Sequence, residues 1–326
     1  MSAGTPAPFP RGIAIGILLL LGVVFASNHI AARFAFDHGT GLVTAVLVRS
    51  GATALILLGV VLWLRAPLKL VAYGVQPRWV WTLGALIALQ SLLLYSAVAR
   101  IPVALALLVF NLFPALFTLL NWALGGPRPT AKTAGLIALI ITGLALALDL
   151  PGQLTQPGSG SAQFWAGVAF GLGAASVFAV ALRVTEVKLK SLTGPVRSLW
   201  TMGLATLMLS AISIAVLAGG AGEGAGQWLA RSLNWPSNWI GWLGLTGLTL
   251  CYGSAFSFLF ALMPRLDMAR NAPASNIEPV AALVLGWSLL GQSISVMQLL
   301  GASTVVLGIV LLALNGRPSS VNTIKK

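Results

Sequence analysis

Apolar runs of about 20 residues, long enough to cross a bilayer as helices, follow one another down the chain, separated by short polar stretches. The pattern predicts ten spans. The first five cover 13–35, 41–64, 78–98, 102–124 and 132–150; the second five cover 164–185, 195–217, 238–262, 270–290 and 296–315. Between the two groups lies Pro151 to Ala162, PGQLTQPGSGSA, whose Pro, Gly and Ser read as a linker. The expected organisation is a disordered 1–12, a first unit 13–150, the linker 151–162, a second unit 163–315 and a tail 316–326.

The two groups repeat one another. Tyr95 to Gly126 slides onto Phe260 to Gly291 by 165 positions without a gap. The shift matches Arg100 with Arg265, Asn111 with Asn276 and Pro114 with Pro279, then Leu120, Trp122, Leu124 and Gly126 with Leu285, Trp287, Leu289 and Gly291. A period of half the chain means two copies of one unit rather than a solenoid. One difference stands out: Phe113 occupies the place of Glu278.

Composition fits a membrane protein. The 326 residues are 58% hydrophobic and 8% charged, with mean hydropathy +0.94, whereas a soluble domain carries about 25% charge. The net charge of +13 would suggest nucleic acid in a soluble protein. Here the basic residues are scattered through loops and no basic run is interleaved with stacking aromatics, so nucleic acid is excluded as a partner and the lipid bilayer is expected instead. The single Cys251 excludes an intrachain disulfide, and two His with six dispersed acids leave little for a metal. No Walker, His-Glu-x-x-His or Gly-x-Ser-x-Gly motif occurs, so neither cofactor nor catalysis is expected.

Loop charges orient the chain. With the N-terminus inside, fifteen Lys and Arg fall in inner segments, among them Arg65, Arg128, Arg183, Arg197 and Arg317; only Arg33, Arg100 and Arg231 fall outside. That bias puts both termini in the cytoplasm. Five spans per half then force the second copy to enter from the opposite side. Inverted repeats with a substrate site near the midplane are a common build of secondary transporters.

The matched stretches also resemble the drug/metabolite transporter superfamily, in its ten-helix EamA type. The resemblance rests on an alanine-rich helix start leading to a mid-helix proline, as in Asn111-Leu-Phe-Pro114 and Asn276-Ile-Glu-Pro279. Gln298-Leu-Leu-Gly301, Ser27-Asn28 and Val48-Arg49 are similar to the family as well. It implies a cytoplasmic (bacterial inner) membrane transporter of small organic molecules such as amino acids or drugs, commonly an exporter. Family members usually close the fourth and ninth helices with Gly-Glu; this chain has Gly126-Pro127 and Gly291-Gln292, so no ion pair is carried over there.

Polar residues inside the spans are the candidate chemistry. Glu278 lies eight residues into its span, about 12 Å at 1.5 Å per residue, where an ionisable group normally faces a cavity or a partner. It is a candidate for proton coupling or for a substrate amine; a bond inside a packed bundle is the alternative. Arg49 is equally deep and needs a partner, for which Glu278 is the expected candidate and a substrate carboxylate the sharper one. Asn28 and His29 lie in the first span, His29 as a proton-exchange candidate. Asn111 and Asn276 precede their prolines by about one turn, able to bond the carbonyl that proline frees or to line a cavity. Tyr95 and Tyr252 are further cavity candidates, and Pro114 and Pro279 the candidate hinges. Gly167-x-x-x-Gly171 reads as a close helix contact.

These observations predict an all-α bundle of ten transmembrane helices in two inverted five-helix repeats, transporting a small molecule. Protons are one coupling choice and uncoupled flow the other. A membrane-embedded enzyme on a lipid-linked substrate, or a non-transporting subunit, are the alternatives.

Overall fold

The computed structural model of the chain describes residues 9–149, 162–219, 230–262, 265–266 and 277–315. Every regular element among them is helical: α1 Arg11–Asp37, α2 Leu42–Trp63, α3 Pro77–Val98, α4 Val103–Phe110, α5 Phe113–Ala123, α6 Ala131–Ala147, α7 Ala162–Lys188, α8 Gly194–Gly219, α9 Trp239–Leu262, α10 Glu278–Leu290 and α11 Val296–Asn315. A short 3-10 turn, Leu70–Tyr73, joins α2 to α3. Seven helical stretches are long and apolar enough to cross a membrane, α4 and α5 counting together as Val103–Ala123. Shorter apolar helices cover Ala131–Ala147, Glu278–Leu290 and Val296–Leu312. Leu20, Leu55, Trp63, Trp239 and Leu250 stand exposed on the outer faces. Apolar surface of that kind suits lipid, and helices suit it too because they satisfy their backbone internally.

Local chemistry sets the helix ends. Pro77 occupies the first turn of α3, where its missing N–H costs nothing. Thr130 Oγ1 caps α6 by accepting from Thr133 N at 3.2 Å. α10 ends at Gly291, whose φ of +62° only glycine adopts without strain. Pro114 breaks the fourth span: lacking a donor for the Phe110 carbonyl, it leaves Asn111 and Leu112 as a turn between α4 and α5. The expected single helix 102–124 is thus two helices. In the ninth predicted span, described helix begins at Glu278, with Pro279 in its first turn; Asn276 lies outside the described residues.

α1 and α9 pack antiparallel. At one end the α1–α2 turn is knitted to the segment before α9, with Gly41 N donating to Asn234 O at 2.8 Å and Ser237 N to His38 O at 2.9 Å. At the other end Phe9 N donates to Arg265 O at 2.9 Å. α7 runs antiparallel to α3 in the same way. Its start lies against Arg100 and Ile101, and just past its end Ser191 Oγ donates to Tyr73 O at 2.9 Å. A Cβ at Gly167 would meet Ile101 Cγ2 at 2.6 Å and one at Gly171 would meet Val109 Cγ1 at 2.8 Å, so these glycines set how close α7 comes.

The packing obeys one exchange rule. α1 packs on α9 as α7 packs on α3; α2 on α9 as α8 on α3; α1 on α10 as α7 on α4 and α5. α2 packs on α8 and α6 on α11, each pairing a helix with its own counterpart in the other half. The largest buried apolar cluster runs through α1, α3, α4, α6, α7, α10 and α11.

Candidate functional site

Polar residues converge where α1, α2, α3, α9 and α10 meet. α3 presents Ser91 and Tyr95 one turn apart, and α2 presents Arg49, which is 3% exposed. Arg49 Nη1 donates to the Tyr95 hydroxyl at 3.1 Å and Nη2 to Ser91 Oγ at 2.8 Å. The Tyr95 hydroxyl in turn donates to Asn28 Oδ1 at 3.0 Å. The guanidinium carbon lies 4.0 Å from the centroid of the Tyr252 ring and 4.9 Å from that of Tyr95. A cation in this position gains from both ring faces.

Glu278 is not its partner. Glu278 Oε1 stands 3.3 Å from His29 Nε2, whereas no carboxylate among the described residues lies in ion-pair range of Arg49. The reason is geometric. Asn28 and His29 are successive on α1 and so point about 100° apart on a helix of 3.6 residues per turn. Asn28 takes the Tyr95 hydroxyl, while His29, edge-on to the Tyr95 ring at 5.9 Å between centroids, reaches Glu278 on α10. Tyr95 and Ser91 fill the Arg49 fork, which leaves Glu278 to His29. Asn28 Nδ2, His29 Nδ1 and Arg49 Nε are buried and find no partner among the described residues.

Next to this network lies a cavity of ≈ 280 Å³. Phe25, Phe110, Phe113 and Phe178 give it aromatic walls, with Asn111 and Glu278 as its polar ones. Asn111 Nδ2 donates to the Leu107 carbonyl at 2.8 Å, one turn back on α4. The expected bond to the carbonyl freed by Pro114, that of Phe110, is not made. Phe113 packs edge-on against Phe178 at 4.9 Å between centroids. Phe113 borders a further cavity of ≈ 450 Å³ reaching Pro127, Arg128 and Thr130 in the α5–α6 loop, and Phe178 borders one of ≈ 140 Å³ beside Arg197.

The structure therefore gathers Asn28, His29, Arg49, Tyr95, Tyr252 and Glu278, with Asn111 on the adjoining wall; Asn276 cannot be placed. Sequence reading missed Ser91 and the aromatic walls. Ser91 carried a signal, standing one turn from Tyr95, but a serine or phenylalanine in an apolar run is otherwise ordinary. The hydroxyl of Tyr95 should matter to stability. Tyr95→Phe strands both Arg49 Nη1 and Asn28 Oδ1, so it should cost about 1–3 kcal/mol, read as a lower melting temperature of the purified protein. An unchanged melting temperature would mean that the ring alone holds Arg49.

Residues 165–314 match the model of the EamA-like transporter family. The second half of the chain, α7 to α11, is thus similar to that family. Sixteen solved chains match the fold of this chain. One, titled only as the crystal structure of a protein, superposes on 95% of this chain and 100% of its own length, with a TM-score of 0.58 at 20% identity. That likeness is one of fold alone. No curated protein matches the chain in sequence.

Proposed function

We propose that this membrane protein is a secondary exporter of small organic metabolites such as amino acids or drugs, working by alternating access around the Glu278 cavity. Its two units, 13–150 and 163–315, are inverted five-helix repeats in a bacterial inner membrane, both termini cytoplasmic. Support for inversion comes from following the helices end to end. α1 finishes at the α1–α2 turn, α2 returns, and α3 finishes at the same end as α1, where Arg33 Nη1 donates to Val98 O at 3.1 Å. α7, the counterpart of α1, starts at that end beside Ile101. It therefore runs the other way.

The observation that carries the transport reading is the asymmetry of the cavity. At the α1–α2 end the backbone bonds of Gly41 and Ser237 join the two halves. Toward the opposite end the cavity borders the one that reaches Arg128, on the basic side. This is the arrangement of an inward-facing state, closed outside and accessible from the cytoplasm. α4 and α5, broken at Pro114, and Pro279 at the start of α10 supply hinges beside the cavity; interrupted helices are a common feature of transporter sites. Glu278 is the coupling group, exchanging a proton or a substrate amine while His29 holds it. Arg49, Asn28, Tyr95, Tyr252, Asn111 and Asn276 complete the proposed site.

The test is flux into proteoliposomes for a panel of amino acids, amines and aromatic drugs, with and without a pH gradient. At least one compound should show saturable, gradient-stimulated transport above protein-free vesicles. If every compound stays at the protein-free rate in both directions, the transport reading fails.

A further inference from the structure

The surroundings of Arg49 occur a second time, at the other end of the molecule. Val48-Arg49-Ser50-x-x-Thr53 in α2 recurs as Val196-Arg197-Ser198-x-x-Thr201 in α8. The local structure recurs with it, since Thr53 Oγ1 and Thr201 Oγ1 each donate to the carbonyl of their own arginine at 2.7 Å. α2 and α8 are counterparts in the exchange rule of the packing, so the two arginines are equivalent residues of the two halves. Arg49 is near the α1–α2 end. Arg197 is in the first turn of α8 at the opposite end, where Trp200 Nε1 donates to Leu68 O at 3.2 Å.

The partners, however, differ. The 165-residue shift puts Phe256 and Phe260 where Ser91 and Tyr95 hold Arg49, and Ile87 where Tyr252 covers it. Ile87 and Phe256 line the ≈ 140 Å³ cavity at Arg197, together with Ser198 and Thr185. Hydrocarbon has replaced the hydroxyls. The Arg197 guanidinium accordingly makes no hydrogen bond or ion pair among the described residues, although it is only partly exposed. A half-buried guanidinium bonded to no acceptor among the described residues calls for one from a ligand. Water can supply acceptors but not the charge. The planar fork is matched by carboxylate or phosphate, bound through two parallel bonds.

We propose that the Arg197 cavity is an oxyanion subsite, which takes the carboxylate or phosphate of an entering small molecule whose apolar body lies along Phe178 and Phe256. It rests on the transport reading for its purpose, since Phe178 is also a wall of the Glu278 cavity. Arg49, held by Tyr95 and Ser91, is its closed counterpart at the other end.

The test is calorimetric titration of the purified full-length protein in nanodiscs of phosphatidylcholine. Phenylacetate and phenyl phosphate are the probes and phenylacetamide the neutral control. Wild type and Lys69→Gln, an exposed loop change, should bind both acids alike. Phenylacetamide should bind about tenfold more weakly or worse, as loss of a charge-assisted bond implies. Arg197→Gln should lose the same factor, and Arg197→Lys should fall between. Arg197→Gln should melt as wild type does, because the guanidinium bonds to nothing among the described residues; were it to misfold, Arg197→Lys and the amide decide.

Equal affinity for acid and amide, or undiminished binding in Arg197→Gln, overturns the subsite. So does a response to phosphatidylglycerol in the disc with none to the soluble acids, which would make the occupant a lipid headgroup. Flux by a wild type that binds neither acid would sink this subsite and leave the transporter standing. Binding that needs Arg197 without flux of any panel compound would do the reverse.

Discussion

Glu278→Gln should reduce gradient-driven transport to the protein-free rate while leaving the protein folded. Glutamine keeps the size of the side chain and an oxygen to face His29 Nε2, now 3.3 Å from Glu278 Oε1. What it loses is the charge and the exchangeable proton. Removing one partner of a buried pair outright costs about 3–5 kcal/mol because a lone charge is left behind. Glutamine still offers His29 a hydrogen-bond partner, so the fold should tolerate the change. Glu278→Asp, shorter by one methylene, should keep some coupled flux. The measurement is initial uptake of the best panel compound at matched protein per vesicle, with and without the gradient. Full gradient-driven flux in Glu278→Gln would make Glu278 a structural partner of His29 and remove protons from the mechanism at this site. Loss of flux together with loss of the monodisperse protein would instead assign Glu278 to folding, which the Tyr95→Phe melting experiment allows to be compared on one scale.

Seven spans were legible because lipid leaves few solutions: an apolar run of the right length becomes a helix, and the ends of these helices fall within a few residues of the polar breaks. The turn at Asn111 and Leu112 was less so, because the proline that causes it also occurs in helices that merely bend. Glu278, Arg49, Asn28 and His29 were legible as candidates, since each is a polar group deep in apolar sequence. Their pairing was not. Whether Arg49 meets Glu278 or Tyr95 depends on the rotation of α1, α2 and α3 about their axes, and one position along a helix turns a side chain by about 100°. Arg197 was hidden differently: as one more basic residue at an inner helix end, it looked like part of the charge bias. Its Val-Arg-Ser-x-x-Thr setting is in the sequence, at a shift of 148 rather than 165, because the segments between the repeated stretches differ in length.

Gly301→Leu should prevent accumulation of folded protein. α11 crosses α6 here so closely that even a Cβ on Gly301 would collide with the backbone of Ala147, and one on Gly308 would meet Ile140 Cγ1 at 2.6 Å. Overpacking against a side chain typically costs about 1–3 kcal/mol. Backbone cannot turn aside as a side chain does, so the helices must separate. α6 and α11 are counterparts in the two halves, and their separation would open the apolar cluster that spans both. Gly135→Leu on the same α6 is the control, because nothing lies within 4 Å of a Cβ there. Monodispersity and melting temperature after extraction are the readouts. A Gly301→Leu protein that melts like the control would mean that α6 and α11 do not approach this closely. The milder Gly301→Ala separates stability from transport. Neither residue borders the Glu278 cavity, so whatever protein remains folded should transport with an unchanged KM. A raised KM would instead mean that the α6–α11 contact moves during the cycle rather than holding the halves together through it.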